Sequence, residues 1–283
     1  MTEFTDGEFE WRGHRITYSD YGEGERTLVL MHGLLMNRHM FDRLAPEMAS
    51  RGNRVITLDA LGHGRSDRPE DMRLYNMPAF GEQLSALIDH LDLDRPVVGG
   101  TSLGANASLE FAHAHPGKAR ALLVEMPVLD NALLGATLTF TPVLLGLRFA
   151  RPVLLALAEL TRRVPRSHYL VDIGLDWLRQ DPAPSSAVLE GILFHRSAPP
   201  HSERLEMDEP ALVIGHPSDP LHPFSDAGML VEEMPNARLI DANSILEWRL
   251  TPARLDDLLA GFLDETYSEG AGEAVERTAR RAA

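Results

Sequence analysis

Five short apolar runs, each continuous where a half-exposed strand would alternate, constrain the fold of this chain more than any other feature. Thr27 to Met31, Arg54 to Leu58, Pro96 to Gly99, Ala121 to Glu125 and Ala211 to Gly215 are rich in Leu, Val and Ile. Strands that read this way are buried on both faces, which requires a sheet with cover on both sides. Between them lie helical patterns such as Phe80, Leu84, Leu87, Ile88 and Leu91, spaced to fall on one face. This alternation predicts the α/β class: a mostly parallel central sheet with helices on both faces. Ligands gather outside the carboxyl ends of such strands. Phe9 to Asp20 reads as a hairpin added at the edge, and Ala237 to Ala242 as a last strand.

The alternation stops after Pro127 and resumes near Pro210. The sequence between is mostly helical and rich in Leu and Arg, which predicts an inserted lid at 129–203 within a body made of 1–128 and 204–267. Pro182, Pro184, Pro199 and Pro200 end helices in its second half. Leu133, Leu134, Leu138, Phe140, Val143, Leu144, Leu145 and Leu147 give the lid more apolar surface than a short helix pair needs. Either they line a pocket for an apolar or acyl substrate, or they pack against the body. The tail, 268–283, has almost nothing to bury and reads as disordered or frayed.

Composition removes several function classes. The chain has 42 acidic against 27 basic residues, a net charge of -15, so an extended phosphate backbone is repelled and nucleic acid is excluded as a partner. The absence of cysteine removes disulfides, thiolate metal sites and thiol catalysis. No metal or cofactor is implied, since the histidines are scattered and His113 and His115 point to different sides of a helix. The stretch Met1 to Glu10 carries acids where a signal peptide has a basic region and an apolar run, so a cytoplasmic location is expected. From Ala132 to Leu160, Pro142, Arg148, Arg151 and Pro152 interrupt the apolar run before it reaches the ~20 residues of a membrane span.

Gly100-Thr101-Ser102-Leu103-Gly104 directly follows a buried strand, and a helix opens at Ala105. A G-x-S-x-G string alone is weak, because small residues cluster in turns. In a strand-turn-helix context it is a nucleophile elbow, which lifts the serine Oγ above the sheet while glycines on either side leave room for the tight turn. A helix N-terminus beneath the serine favours developing negative charge. His32-Gly33-Leu34 follows the first central strand, so the backbone N–H groups of Leu34 and Leu103 are candidate oxyanion donors. His32 itself reads as a structural residue of that loop.

Taken in order, His32-Gly33, then Asp59-Ala60-Leu61-Gly62-His63-Gly64-Arg65-Ser66, then the Ser102 elbow resemble the α/β-hydrolase superfamily over about Phe9 to Asp264. Within it the pattern is similar to lidded esterases, lactonases, epoxide hydrolases and proline iminopeptidase-like enzymes. The resemblance implies that Asp59 to Ser66 shape a turn near the active site. It also implies an acid after a late strand, which Asp219 matches in His216-Pro217-Ser218-Asp219-Pro220. Such an acid orients an imidazole and stabilises the imidazolium; as a rival role, Asp219 could cap the helix that starts near Pro223.

The resemblance further implies a histidine after the last strand, and there the chain departs from the pattern. It reads Asp241-Ala242-Asn243-Ser244-Ile245-Leu246-Glu247-Trp248-Arg249, and no histidine follows His222. Neither Ser244 nor Ile245 has a pKa suited to a base near neutral pH. Three explanations compete. The base is relocated, with His222 in Asp219-Pro220-Leu221-His222-Pro223 the first choice and His216 the second; or the protein keeps the cavity without serine hydrolysis; or one position has been substituted, against which Ser-Ile-Leu-Glu-Trp-Arg reads as a settled motif. His222 could equally hydrogen-bond only within its own turn. Glu125, at a strand end, is an alternative acid or the partner of an arginine such as Arg249.

These readings converge on a serine hydrolase of a hydrophobic carboxylic ester or related acyl compound, with Ser102, Asp219 and His222 as catalytic residues. The rival is an α/β-hydrolase-fold protein that lost catalysis and binds a ligand or partner.

Overall fold

The computed structural model describes residues 4–165 and 169–282, with the backbone alone for 169–170 and 269–282. One sheet holds β1 (Phe4–Trp11), β2 (His14–Tyr21), β3 (Thr27–Met31), β4 (Arg54–Asp59), β5 (Val97–Thr101), β6 (Ala121–Glu125), β7 (Ala211–Gly215) and β8 (Ala237–Asp241). Their spatial order is β1-β2-β4-β3-β5-β6-β7-β8. The β1–β2 and β2–β4 pairs are antiparallel, so the expected hairpin lies at the edge, and every other pairing is parallel.

The helices are α1 (Leu44–Ser50), α2 (Met77–His90), α3 (Leu103–Ala114), α4 (Leu133–Phe149), α5 (Arg151–Thr161), α6 (Tyr169–Leu178), α7 (Pro182–Leu193), α8 (His201–Arg204), α9 (Phe224–Glu233), α10 (Glu247–Leu250) and α11 (Ala253–Ala282). Every residue of β3, β5, β6 and β7 is buried. Alternation of side chains along each strand serves two cores: Val29 and Met31 pack with Phe80, Leu84 and Phe111 of α2 and α3, while Leu28 and Leu30 pack with Met48, Leu259 and Phe262 of α1 and α11. Continuous apolar strands are the sequence cost of covering both faces.

Helices α4 to α8 all fall between β6 and β7, where the strand–helix alternation lapses in the sequence. Residues 166–168 of that stretch lie outside the described residues. Over 268–282, where the sequence suggests a disordered or frayed end, the backbone continues α11 to Ala282, in keeping with the helix-forming Ala, Glu and Arg there. Ala283 lies outside the described residues. Among the described residues no helix is long and apolar enough to cross a membrane.

Candidate active site

Ser102 sits between β5 and α3 with φ +54° and ψ -107°, a sparsely populated conformation held by its surroundings. Its amide donates to the Glu125 carbonyl at 2.8 Å, and its own carbonyl accepts from Asn106 N at 3.0 Å. The flanking glycines are a steric necessity. A Cβ on Gly100 would lie 2.0 Å from the Met31 carbonyl oxygen, and one on Gly104 would lie 1.9 Å from the same atom. Backbone occupies that space, so no rotamer change relieves the clash.

The imidazole of His222 meets the serine. Nε2 lies 3.0 Å from Ser102 Oγ, and Nδ1 lies 2.9 Å from Asp219 Oδ2. Asp219 is fixed in turn: its Oδ1 accepts from the amides of Leu221 at 2.8 Å and His222 at 3.0 Å. Burial raises the Asp219 pKa, but the hydrogen bond from His222 and those two amides outweigh it and hold the carboxyl below its usual range. Acid and imidazole therefore come from one turn after β7, three residues apart.

His216, the second choice for a relocated base, is turned away from the serine. Its Nδ1 donates to the Ser244 carbonyl at 3.0 Å and its Nε2 faces Glu125 Oε1 at 3.3 Å. Glu125 also accepts from Thr101 Oγ1 and, at 2.9 Å, from Arg249. It is thus the partner of Arg249 beneath the elbow. Burial alone would raise its pKa, yet Arg249, His216 and Thr101 bring it down to about 2. Burial likewise works against the His216 cation, and Glu125 with the Ser244 carbonyl reverses that and raises its pKa.

The loops after β3 and β4 are locked by neutral histidines. His32 accepts from Ala60 N at 3.1 Å and donates to the Gly33 carbonyl at 2.8 Å, while His63 accepts from Leu35 N at 3.2 Å. Burial lowers both pKa values, that of His63 to about 3. Asp59 pairs with the buried Arg38 and accepts from Arg65 N at 2.9 Å, which makes it the anchor of its turn. These contacts set Gly33 beside the elbow, where its Cβ position is 4.0 Å from that of Ser102.

Ser102, Leu34 and Leu103 line one cavity of about 90 Å³ together with Leu133, Phe140 and Ile192 of the helical insert. Two polar residues hold that insert in register. The Asn106 side chain donates to the carbonyls of Val128 at 2.7 Å and Ser197 at 2.6 Å, joining both ends of the insert to α3. The fully buried Asp226 accepts from Leu129 N at 2.7 Å, Asn131 N at 3.1 Å and Ala132 N at 3.1 Å, fixing the start of α4. Neither was singled out from the sequence. An asparagine inside a helix, where its side chain competes with the backbone, was the available signal for Asn106.

Fold and site together define a chain of the α/β-hydrolase type. It belongs to the alpha/beta hydrolase fold family, whose match spans residues 26–170. A protein of Mycobacterium phage D29 named "Putative non-heme haloperoxidase" is 27% identical over 292 residues, taking in 92% of this chain and 96% of the relative. A 2-hydroxy-6-oxononadienedioate/2-hydroxy-6-oxononatrienedioate hydrolase of Paraburkholderia xenovorans is 31% identical over 122 residues, 42% of this chain and 40% of the relative. Among solved structures, the enol-lactonase from Burkholderia xenovorans LB400 superposes with a TM-score of 0.74 at 19% identity, covering 91% of this chain and 100% of the other. At that identity the likeness speaks for the fold. The relatives support a hydrolytic enzyme.

Proposed function

We propose that this chain is a serine hydrolase of small hydrophobic carboxylic esters or related acyl compounds, with Ser102 as nucleophile, His222 as general base and Asp219 as the acid that orients it. One observation carries the reading: the same imidazole contacts Ser102 Oγ at 3.0 Å and Asp219 Oδ2 at 2.9 Å. Both distances suit proton transfer and orientation. Asp219 keeps the proton of the neutral ring on Nδ1, which leaves the Nε2 lone pair directed at the hydroxyl.

In this reading Oγ attacks the acyl carbon while Nε2 takes its proton. The Leu103 N–H opens a helix and so has no partner within it; with the Leu34 N–H it receives the oxyanion. The imidazolium then protonates the leaving group, and water repeats the sequence to release the acid. Helices α4 to α7 serve as the lid. The cavity of about 90 Å³ suits a small acyl group, since Leu133, Phe140 and Ile192 give it an apolar lining.

A fluorophosphonate probe tests the assignment. The native chain should be labelled, and Ser102→Ala and His222→Ala should not. Labelling that survives in His222→Ala would remove that residue as base, and a native chain that stays unlabelled would favour the binding-protein reading.

A further inference from the structure

We infer that the outer face of α4 and α5 is a docking surface for an anionic lipid bilayer. A surface helix of a water-soluble body turns its polar side outward, whereas these two helices expose large apolar side chains. In α4 only Arg148 is charged and no residue is buried. Its Leu134, Leu138, Leu145 and Phe149 recur at helical spacing on one side and are 72%, 67%, 50% and 76% exposed. In α5 the stripe is Val153, Leu157 and Leu160, continued by Val164 just past the helix, at 60%, 40%, 69% and 43%. Eight large apolar side chains facing water on adjoining helices mark an interaction surface.

Charge selects the occupant. The chain as a whole carries -15, yet residues 133–165 hold Arg148, Arg151, Arg162 and Arg163 against the single acid Glu159. All four arginines are exposed. Arg148 pairs with Glu190, Arg151 with Asp181 at 3.8 Å and Arg162 with Glu159 at 2.8 Å, but their guanidinium-bearing side chains stay 60%, 50% and 66% exposed. Surface pairs of that kind are worth little and exchange readily for other anions. Arg148 follows Leu145, and Arg163 follows Leu160, by three residues, so both flank the apolar stripe, and that is the composition of a helix that lies in a lipid interface. A second copy of this chain is a poorer fit, because a two-fold interface would set the arginine rims of both copies against each other. The excess of acid lies outside 133–165, so an anionic membrane favours this face over the acidic body.

The opposite side of α4 supplies Leu133, Ala136, Thr137 and Phe140 to the cavity at Ser102. One helix thus separates the docking face from the pocket, and an apolar compound dissolved in the bilayer would have a short path to it. The surface itself stands independently of the role of Ser102.

Co-sedimentation of the full chain with vesicles tests this. Vesicles of phosphatidylcholine mixed with phosphatidylglycerol should pull down the chain at low salt, and those of phosphatidylcholine alone should not. Replacing Arg148 or Arg163 by Gln should weaken that partition about fivefold each. The double change Leu138→Ser with Phe149→Ser should reduce it to background while circular dichroism and thermal midpoint stay native, since both positions face water. Equal partition into neutral and anionic vesicles, no binding to either, or binding unaffected by the double change would overturn the proposal. A dimer in solution that the double change splits would instead assign the face to a second copy.

Discussion

Two carboxylate–histidine pairs lie at the carboxyl ends of the central strands, and they are put to opposite uses. His216 and His222 leave β7 six residues apart. His216 turns down into the floor, where Glu125, Arg249 and the Ser244 carbonyl enclose it. His222 turns up to Asp219 and Ser102 and remains partly open to solvent. The chemistry is nearly the same, an imidazole beside a carboxylate, but the third partner differs. A guanidinium neutralises the buried carboxylate and makes the floor a structural ion network, whereas a hydroxyl at the mouth leaves one imidazole nitrogen with a proton to take. The Ser244 carbonyl, from the turn after β8, and Arg249 of α10 both face this floor.

The comparison breaks most sharply at the mouth. Ser102→Ala or His222→Ala should lower kcat on an activated ester by roughly 10⁶-fold, the scale for removing a serine nucleophile or its base, with the thermal midpoint little changed. His216→Gln should instead spare most activity and lower stability. Asp219→Asn should cost about 10⁴-fold in kcat, because an amide stabilises the wrong tautomer; a loss confined to KM would contradict its orienting role.

The floor should show the converse pattern. Glu125→Gln removes the carboxylate charge that Arg249 and His216 share, a change that costs about 3–5 kcal/mol for a buried pair and should lower the melting temperature by about 10 °C. Rate changes should be secondary. Differential scanning calorimetry against an ester assay separates the two effects.

The pH dependence of stability sharpens the contrast further. Glu125 titrates at about 2 in the fold against an ordinary value of 4.5, so its contribution is complete above about pH 4.5 and is lost as pH falls toward 2. That amounts to at most about 3 kcal/mol. Asp219, also depressed, fades in the same direction. His216 has a raised pKa, so its contribution is full below its ordinary 6.5 and is lost as pH rises through the folded value. Urea melts across pH should show a shallower acid limb in Glu125→Gln, where Asp219 still contributes, and a shallower alkaline limb in His216→Gln. The smallest effect belongs to the β8 turn: Ile245→His should change ester turnover less than about threefold, because the Ser102 hydroxyl already has an imidazole against it in His222.

Much of this was legible in the chain. Continuous apolar runs announced β3 to β7, since burial on both faces writes itself into every position of a strand. The elbow was legible because glycine is the only residue that fits where backbone approaches within 2 Å of a Cβ position. Asp219 was named from the resemblance, as an acid after a late strand, and it lies in the turn that follows β7. His222 could be named but not decided, because a turn sequence does not say which way an imbedded ring faces. Asn106 and Asp226 went unread for a related reason: their partners are backbone groups of the insert, with Ser197 and Leu129 lying 91 and 97 residues away in the chain.

The amino-acid order by itself determined the layered α/β body, the serine at its elbow and the absence of a histidine after β8, since local periodicity, steric demand and residue identity need no distant partner. Only the tertiary structure shows which histidine lies against the serine, with His222 Nε2 3.0 Å from Ser102 Oγ. The direction of a side chain at a turn depends on what packs around it, and the partners of His216 and His222 come together from distant stretches: Ser102 at the elbow, Glu125 at the end of β6, Asp219 after β7, and Ser244 and Arg249 after β8.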